Sequence, residues 1–188
     1  MVTNQWRSIE NEDSGSDEPD EWWYYFQSNG KAVKKSGSSD NVKFVTLPTS
    51  TGQAKFTFDD EGHMLYGWID ESGEMLTDDD AWKSGMYYCS DNGDGRMATG
   101  WKYIPAVNDE DDDREGDGYW FYFSTNGKKT VDNDSKKING QYYGFDVNGK
   151  MLQGLYRIEF EANGKTIRSA EEIEDVDEIP DEDEDGVF

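Results

Sequence analysis

The chain has 188 residues, enough for one domain of ordinary size, of which 34% are hydrophobic, 32% charged and 14% aromatic. Its formal net charge of -24 argues against nucleic acid and anionic lipid as partners, because both would be repelled. The single cysteine, Cys89, precludes an internal disulfide framework, and no apolar run is long enough to span a membrane. A chain so poor in aliphatics lacks an ordinary core; its aromatics compensate, since Trp and Tyr bury a large apolar face and keep a polar edge. Cationic ligands, basic partners, neutral glycans and divalent ions stay open, and surface solubility is the alternative reading of the charge.

The N-terminus, Met1-Val2-Thr3-Asn4-Gln5, has neither a basic nor an apolar region, so no signal peptide is expected in this sequence. Trp6 then leads an acidic insert, Glu10 to Asp20, into the aromatic run Trp22-Trp23-Tyr24-Tyr25-Phe26, which reaches Asn29-Gly30-Lys31. The phrase returns as Trp120-Phe121-Tyr122-Phe123 before Asn126-Gly127-Lys128, and as Tyr142-Tyr143-Gly144-Phe145 before Asn148-Gly149-Lys150. A short repeat of this kind points to a repeat architecture. Asn-Gly between apolar alternations is a hairpin signal, and two-residue turns with positive φ at both positions are expected at Gly30, Gly127 and Gly149. Gly62, and Asn92-Gly93-Asp94-Gly95 before Arg96-Met97, mark two further units, which gives five hairpins. Three units leave through a glycine, at Gly67-Trp68, Gly100-Trp101 and Gly154-Leu155.

A longer period lies over this one, because Trp23 and Gly30 recur as Trp120 and Gly127 at a common offset of 97. Trp101 leads a second acidic insert, Asn108 to Asp117, as Trp6 leads the first. The chain therefore reads as a triplet of hairpins followed by most of a second triplet. Cys89 follows Tyr87-Tyr88 in a strand-like stretch and reads as a small apolar filler. The pattern fades beyond Asn163-Gly164, so residues 1–170 form the repeat region and 171–188 an acidic tail. Ile173, Val176 and Ile179 leave a short capping helix open as the alternative to a solvated tail.

These phrases resemble the cell-wall-binding repeats of Firmicutes, those of choline-binding and glucan-binding modules. The family phrase is clearest in Met64-Leu65-Tyr66-Gly67-Trp68, in Met97-Ala98-Thr99-Gly100-Trp101, and in Ile138-Asn139-Gly140-Gln141-Tyr142-Tyr143 through Gly154. The resemblance implies an all-β solenoid of two-stranded hairpins, with a non-catalytic role in attachment to the bacterial exterior. It implies wall polymer as partner, through choline-bearing teichoic acid or glycan, with no cofactor and no metal. Choline would sit in an aromatic cage between hairpins, since ring faces attract a poorly hydrated quaternary ammonium. Carried over residue by residue, the best cage is Trp101 with Trp120 and Tyr122, and its equivalent is Trp6 with Trp23 and Tyr25. Trp68, Trp82, Tyr88 and Met97 make up the third expected group. The pattern is irregular: Lys55 stands where a leading aromatic belongs, and the fourth unit has no Gly-Trp exit after Lys129-Thr130. Open terminal hairpins make self-association an expectation as well.

Each aromatic also has a structural role open to it, filling the seam between hairpins. Asp109-Glu110-Asp111-Asp112-Asp113 and Asp91-Asn92-Gly93-Asp94-Gly95 are rich in oxygen but miss the ligand spacing of a calcium loop. Catalysis is not expected: no carboxylate sits in an apolar patch that would tune it, and His63 has no nucleophile beside it. A spacer that only displays another domain is the remaining rival, and it predicts order without ligand affinity.

Overall fold

The computed structural model describes residues 1–12, 18–35, 41–105, 118–131, 135–154 and 156–173. The elements are β1 (Gln5–Glu10), β2 (Glu21–Phe26), β3 (Val45–Thr49), β4 (Gly52–Phe56), β5 (Gly67–Ile69), β6 (Met75–Leu76), the one-turn helix α1 (Ala81–Ser84) and β7 (Tyr87–Cys89). They continue as β8 (Gly100–Pro105), β9 (Gly118–Phe123), β10 (Ser135–Ile138), β11 (Gln141–Gly144), β12 (Tyr156–Phe160) and β13 (Ile167–Glu172). Pairing is antiparallel throughout, in the two-stranded sheets β1-β2, β3-β4, β8-β9, β10-β11 and β12-β13 and the three-stranded sheet β6-β5-β7. The fold is all-β and built of hairpins, as the repeats predict. The chain divides into two compact units, Met1–Lys129 and Thr130–Phe188.

The hairpins close at different places from those the glycines suggest. Trp6 pairs with Tyr25 and Ser8 with Trp23, so the acidic insert after Glu10 joins the two strands of the first hairpin. Trp101 likewise pairs with Tyr122 across the second insert, whose residues 106–117 lie outside those described. The Asn-Gly segments instead form five-residue loops that return β2, β9 and β11 to single bridge residues: Phe26 to Ala32, Phe123 to Lys129 and Phe145 to Met151. Only Asn4 and Asn139 among the described non-glycine residues have positive φ, so the expectation of two-residue turns at Gly30, Gly127 and Gly149 does not hold. The physical reason is that glycine alone takes the left-handed position, at φ 76° for Gly30 and 87° for Gly127. At two of the turns the preceding asparagine accepts the N–H two residues on, Asn29 Oδ1 from Lys31 N at 2.9 Å and Asn126 Oδ1 from Lys128 N at 3.2 Å, whereas before Gly149 it is Asp146 Oδ1 that takes Lys150 N, at 2.8 Å. A two-residue turn with positive φ at both positions occurs once among the described turns, at Asn139-Gly140 between β10 and β11, with φ of 50° and 90°.

Within the first unit a single rule links successive hairpins. Each bridge residue donates its N–H to a carbonyl three residues before the preceding hairpin's bridge partner. Met64 donates to Trp23 O at 2.8 Å, Met97 to Lys55 O at 2.9 Å and Lys129 to Met86 O at 2.8 Å. The next residue closes back on its own hairpin, as Leu65 N does on Thr57 O at 3.0 Å and Ala98 N on Tyr88 O at 2.7 Å. Bridge residues also meet the turn glycine of the following hairpin: Met64 packs on Gly95 and Met97 on Gly127. Strand alternation does the rest, placing Tyr119, Phe121 and Phe123 of β9 in the core and Trp120 and Tyr122 on the opposite face. One core cluster gathers Trp68, Trp82, Ile104 and Phe121, and another Tyr25, Leu47, Phe56, Phe58 and Met64.

In the second unit, Phe145, Ile138 and Ile167 are buried, and Tyr156 Oη donates to Glu172 Oε2 at 3.1 Å. The β12-β13 hairpin is a sixth unit, with Asn163-Gly164, where the sequence pattern fades, in its turn. Its strand β13 carries Glu171 and Glu172 and so crosses the boundary expected at residue 170. Leu155, Val176 and Ile179 lie outside the described residues.

Candidate ligand-binding site

Two of the three aromatics expected in the first cage face a common space. Trp6, Trp23, Phe56 and Met64 line a cavity of about 370 Å³ between the first two hairpins. The third, Tyr25, is buried in the core, where its ring meets Trp6 edge-on at 5.3 Å. Trp6 is held from two sides: Nε1 donates to Pro48 O at 2.9 Å, and its ring lies 4.6 Å from that of Phe56. Trp23 Nε1 is a buried donor without a protein acceptor. Asp94 and Arg96, from the long turn of the third hairpin, complete the rim as an ion pair at 2.9 Å. Phe56, Asp94 and Arg96 were not among the residues expected from the repeat. Their signal in the sequence is positional, because each lies one unit or more along from Trp23 and only pairing brings them round.

The second expected cage, Trp101 with Trp120 and Tyr122, is an open surface. Trp101 lies edge-on to Tyr122 at 5.1 Å and to Trp120 at 6.4 Å, all on one face of the β8-β9 hairpin. Tyr103 joins them, 5.5 Å from Trp120, and both Tyr103 and Trp120 are exposed, at 47% and 38%. Four aromatics thus line one face of the hairpin, two of them half-buried and two exposed, and offer ring surface for stacking.

The third group is packed inside. Trp68 and Trp82 are buried, Trp68 meets Tyr88 at 5.1 Å and Phe121 at 5.1 Å, and Trp82 meets Tyr119 at 5.0 Å. Met97 is half-buried against Gly127.

Among the described residues, one group has metal-ligand chemistry: Asp59, Glu61 and His63 hold donor atoms within 4.8 Å of one another. Asp59 is already engaged in shaping its turn, with Oδ1 accepting Gly62 N at 2.7 Å and His63 N at 2.8 Å. Its Oδ2 meets His63 Nδ1 at 2.7 Å, and the imidazole stacks on Trp22 at 4.5 Å. Burial, then the charges of Asp59 and Glu61, raise the Tyr24 phenol above its ordinary range. Cys89 is buried with Leu65 and Ile69, and that burial pushes its thiol up to about 12, so it is inert filler.

The fold and its recesses define a class: a β-hairpin repeat protein with aromatic surfaces formed where one hairpin follows another. No family model matches the chain, and no curated protein matches it. Among solved structures it is similar to choline-binding protein F from Streptococcus pneumoniae, in the presence of a peptidoglycan analogue, at 20% identity and a TM-score of 0.45 over 82% of this chain and 54% of that one. A second similarity is to truncated alternansucrase from Leuconostoc mesenteroides, at 20% identity and a TM-score of 0.41 over 69% of this chain and 8% of that one. The pneumococcal cell wall endolysin from phage Cp-1, complexed with choline, matches at 23% identity and a TM-score of 0.34 over 81% of this chain and 32% of that one. The chain thus spans little more than half the length of the choline-binding protein F chain it matches. These likenesses lie at the level of the fold.

Proposed function

We propose that this chain is a non-catalytic attachment module that binds a bacterial wall polymer through aromatic recesses between its hairpins. The observation that carries this reading is the cavity walled by Trp6, Trp23 and Phe56 and floored by Met64. Ring faces and a thioether make a polarizable, weakly hydrating surface, which suits the quaternary ammonium of choline. The net charge of -24 adds a field that draws a cation in, while Asp94 on the rim is paired with Arg96. The module would act on the outer face of a Gram-positive cell, at choline-decorated teichoic acid. Self-association through the terminal hairpins belongs to the same reading.

A second ligand class is favoured by a separate observation. The row Trp101, Tyr103, Trp120 and Tyr122 lies along one face of a single hairpin, with Tyr103 and Trp120 exposed, an arrangement that offers ring surface to sugars and does not enclose a methylated cation. Titration of the intact protein with choline and with wall glycan oligosaccharides, followed by tryptophan fluorescence, separates these readings from a spacer. Saturable quenching by either ligand supports attachment, and a flat response to both supports the spacer.

A further inference from the structure

The bridge positions of the successive units hold Ala32, Met64, Met97, Lys129 and Met151, so one of the described bridges is charged. Lys129 is only 3% exposed. Its ammonium lies 5.0 Å from the ring centroid of Trp68 and 5.6 Å from that of Phe121, which meet edge-on. The same nitrogen donates to the carbonyl of Trp82, and to that of Lys83 at 3.3 Å. Those carbonyls belong to the one-turn helix α1, which is too short for them to be taken up by its own backbone N–H groups. The nitrogen therefore has two ring faces for its charge and two carbonyl oxygens for its N–H groups.

We propose that the space bounded by Trp68, Phe121 and the carbonyls of Trp82 and Lys83 is a primary-ammonium site, filled in cis by the side chain of Lys129 and thereby closed to ligands from solution. A buried ammonium is tolerated only where its charge and its donors are both met, and this junction meets both. The site differs chemically from the cavity at Trp6 and Trp23, because its carbonyls select N–H donors that a quaternary ammonium lacks. It also stands apart from the wall-binding reading, and either holds without the other. Its consequence for specificity is that Trp68, one of the aromatics expected to bind ligand, gives its ring to the chain's own cation, while Trp82 gives a backbone carbonyl.

Truncating Lys129→Ala removes three methylenes and the ammonium, the outline of propylammonium. The variant is expected to melt below the parent, and propylammonium is expected to raise its melting temperature by several degrees while leaving the parent unchanged. Propanol, which fills the same space without the charge, is expected to give no rise. Equal rescue by both compounds, or by neither, overturns the proposal. Should Lys129→Ala fail to fold, amine acylation of the intact protein decides, read residue by residue by mass spectrometry. Lys129 is expected to react roughly tenfold or more slowly than exposed Lys102, since reaction requires local opening. Equal rates at the two lysines overturn the proposal.

Discussion

The thioether of Met97 occupies the space that a Cβ on Gly127 would need, and Met64 stands in the same relation to Gly95. Met64 and Met97 thus each rest on the turn glycine of the next hairpin, so the recurrence of Met and Gly in the first unit reflects one contact made twice.

Gly127→Ala is expected to lower stability by about 1 kcal/mol through its φ of 87° and by about 1–3 kcal/mol more through overpacking against Met97. Adding Met97→Ala relieves the second part alone. Denaturant unfolding of the two single variants and the double checks this, and strict additivity would show that the two residues do not meet.

Alkaline pH is expected to destabilise the fold through Cys89. The native thiol is held up to about 12 against 9.0 for the free group, so between these values the unfolded chain loses a proton that the folded chain keeps. The unfolded state then binds fewer protons, and stability falls as pH rises, by up to about 1.4 kcal/mol per pH unit. Burial of Tyr88 acts in the same direction above its usual 10.0. Melting curves from pH 8 to 10 are expected to steepen above pH 9 for the parent and to stay flatter for Cys89→Ala.

Trp23→Ala is expected to weaken choline binding by about 3- to 30-fold, the range that one aromatic face supplies to a cation. Trp23 is half-buried on its strand, so the variant should retain its circular dichroism. Trp120→Ala is the control: it is expected to leave choline binding unchanged and to reduce glycan binding.

Ionic strength offers an independent check on the ligand. A cation drawn by the acidic field is expected to bind several-fold more weakly at 1 M salt than at 0.01 M, because the screening length falls from about 30 Å to about 3 Å. Glycan binding on the open platform is expected to change little over the same range.

The aromatic phrase was enough to read the hairpin fold, and strand alternation accounts for Trp120 and Tyr122 sharing a face. Where each hairpin closes was not legible. Asn-Gly is the sequence signal of a two-residue turn, yet the same pair sits within a five-residue loop when the asparagine side chain caps it, as at Asn29. The cavity was half legible: Trp6 and Trp23 stand in the repeat phrase, but Arg96 arrives from a later unit through pairing that no local pattern encodes. The burial of Lys129 was not legible, because its partners Trp68 and Trp82 are more than forty residues away along the chain.

The most direct measurement of the central claim is the indole N–H resonance of Trp23, assigned through Trp23→Phe and followed by NMR during a choline titration. That donor is buried, lacks a protein acceptor and belongs to a residue that lines the cavity. The account predicts a shift that saturates with choline and is absent when Met64 is enlarged to Phe to fill the space. A Trp23 resonance that stays fixed to saturating choline, in protein that remains folded, would contradict it.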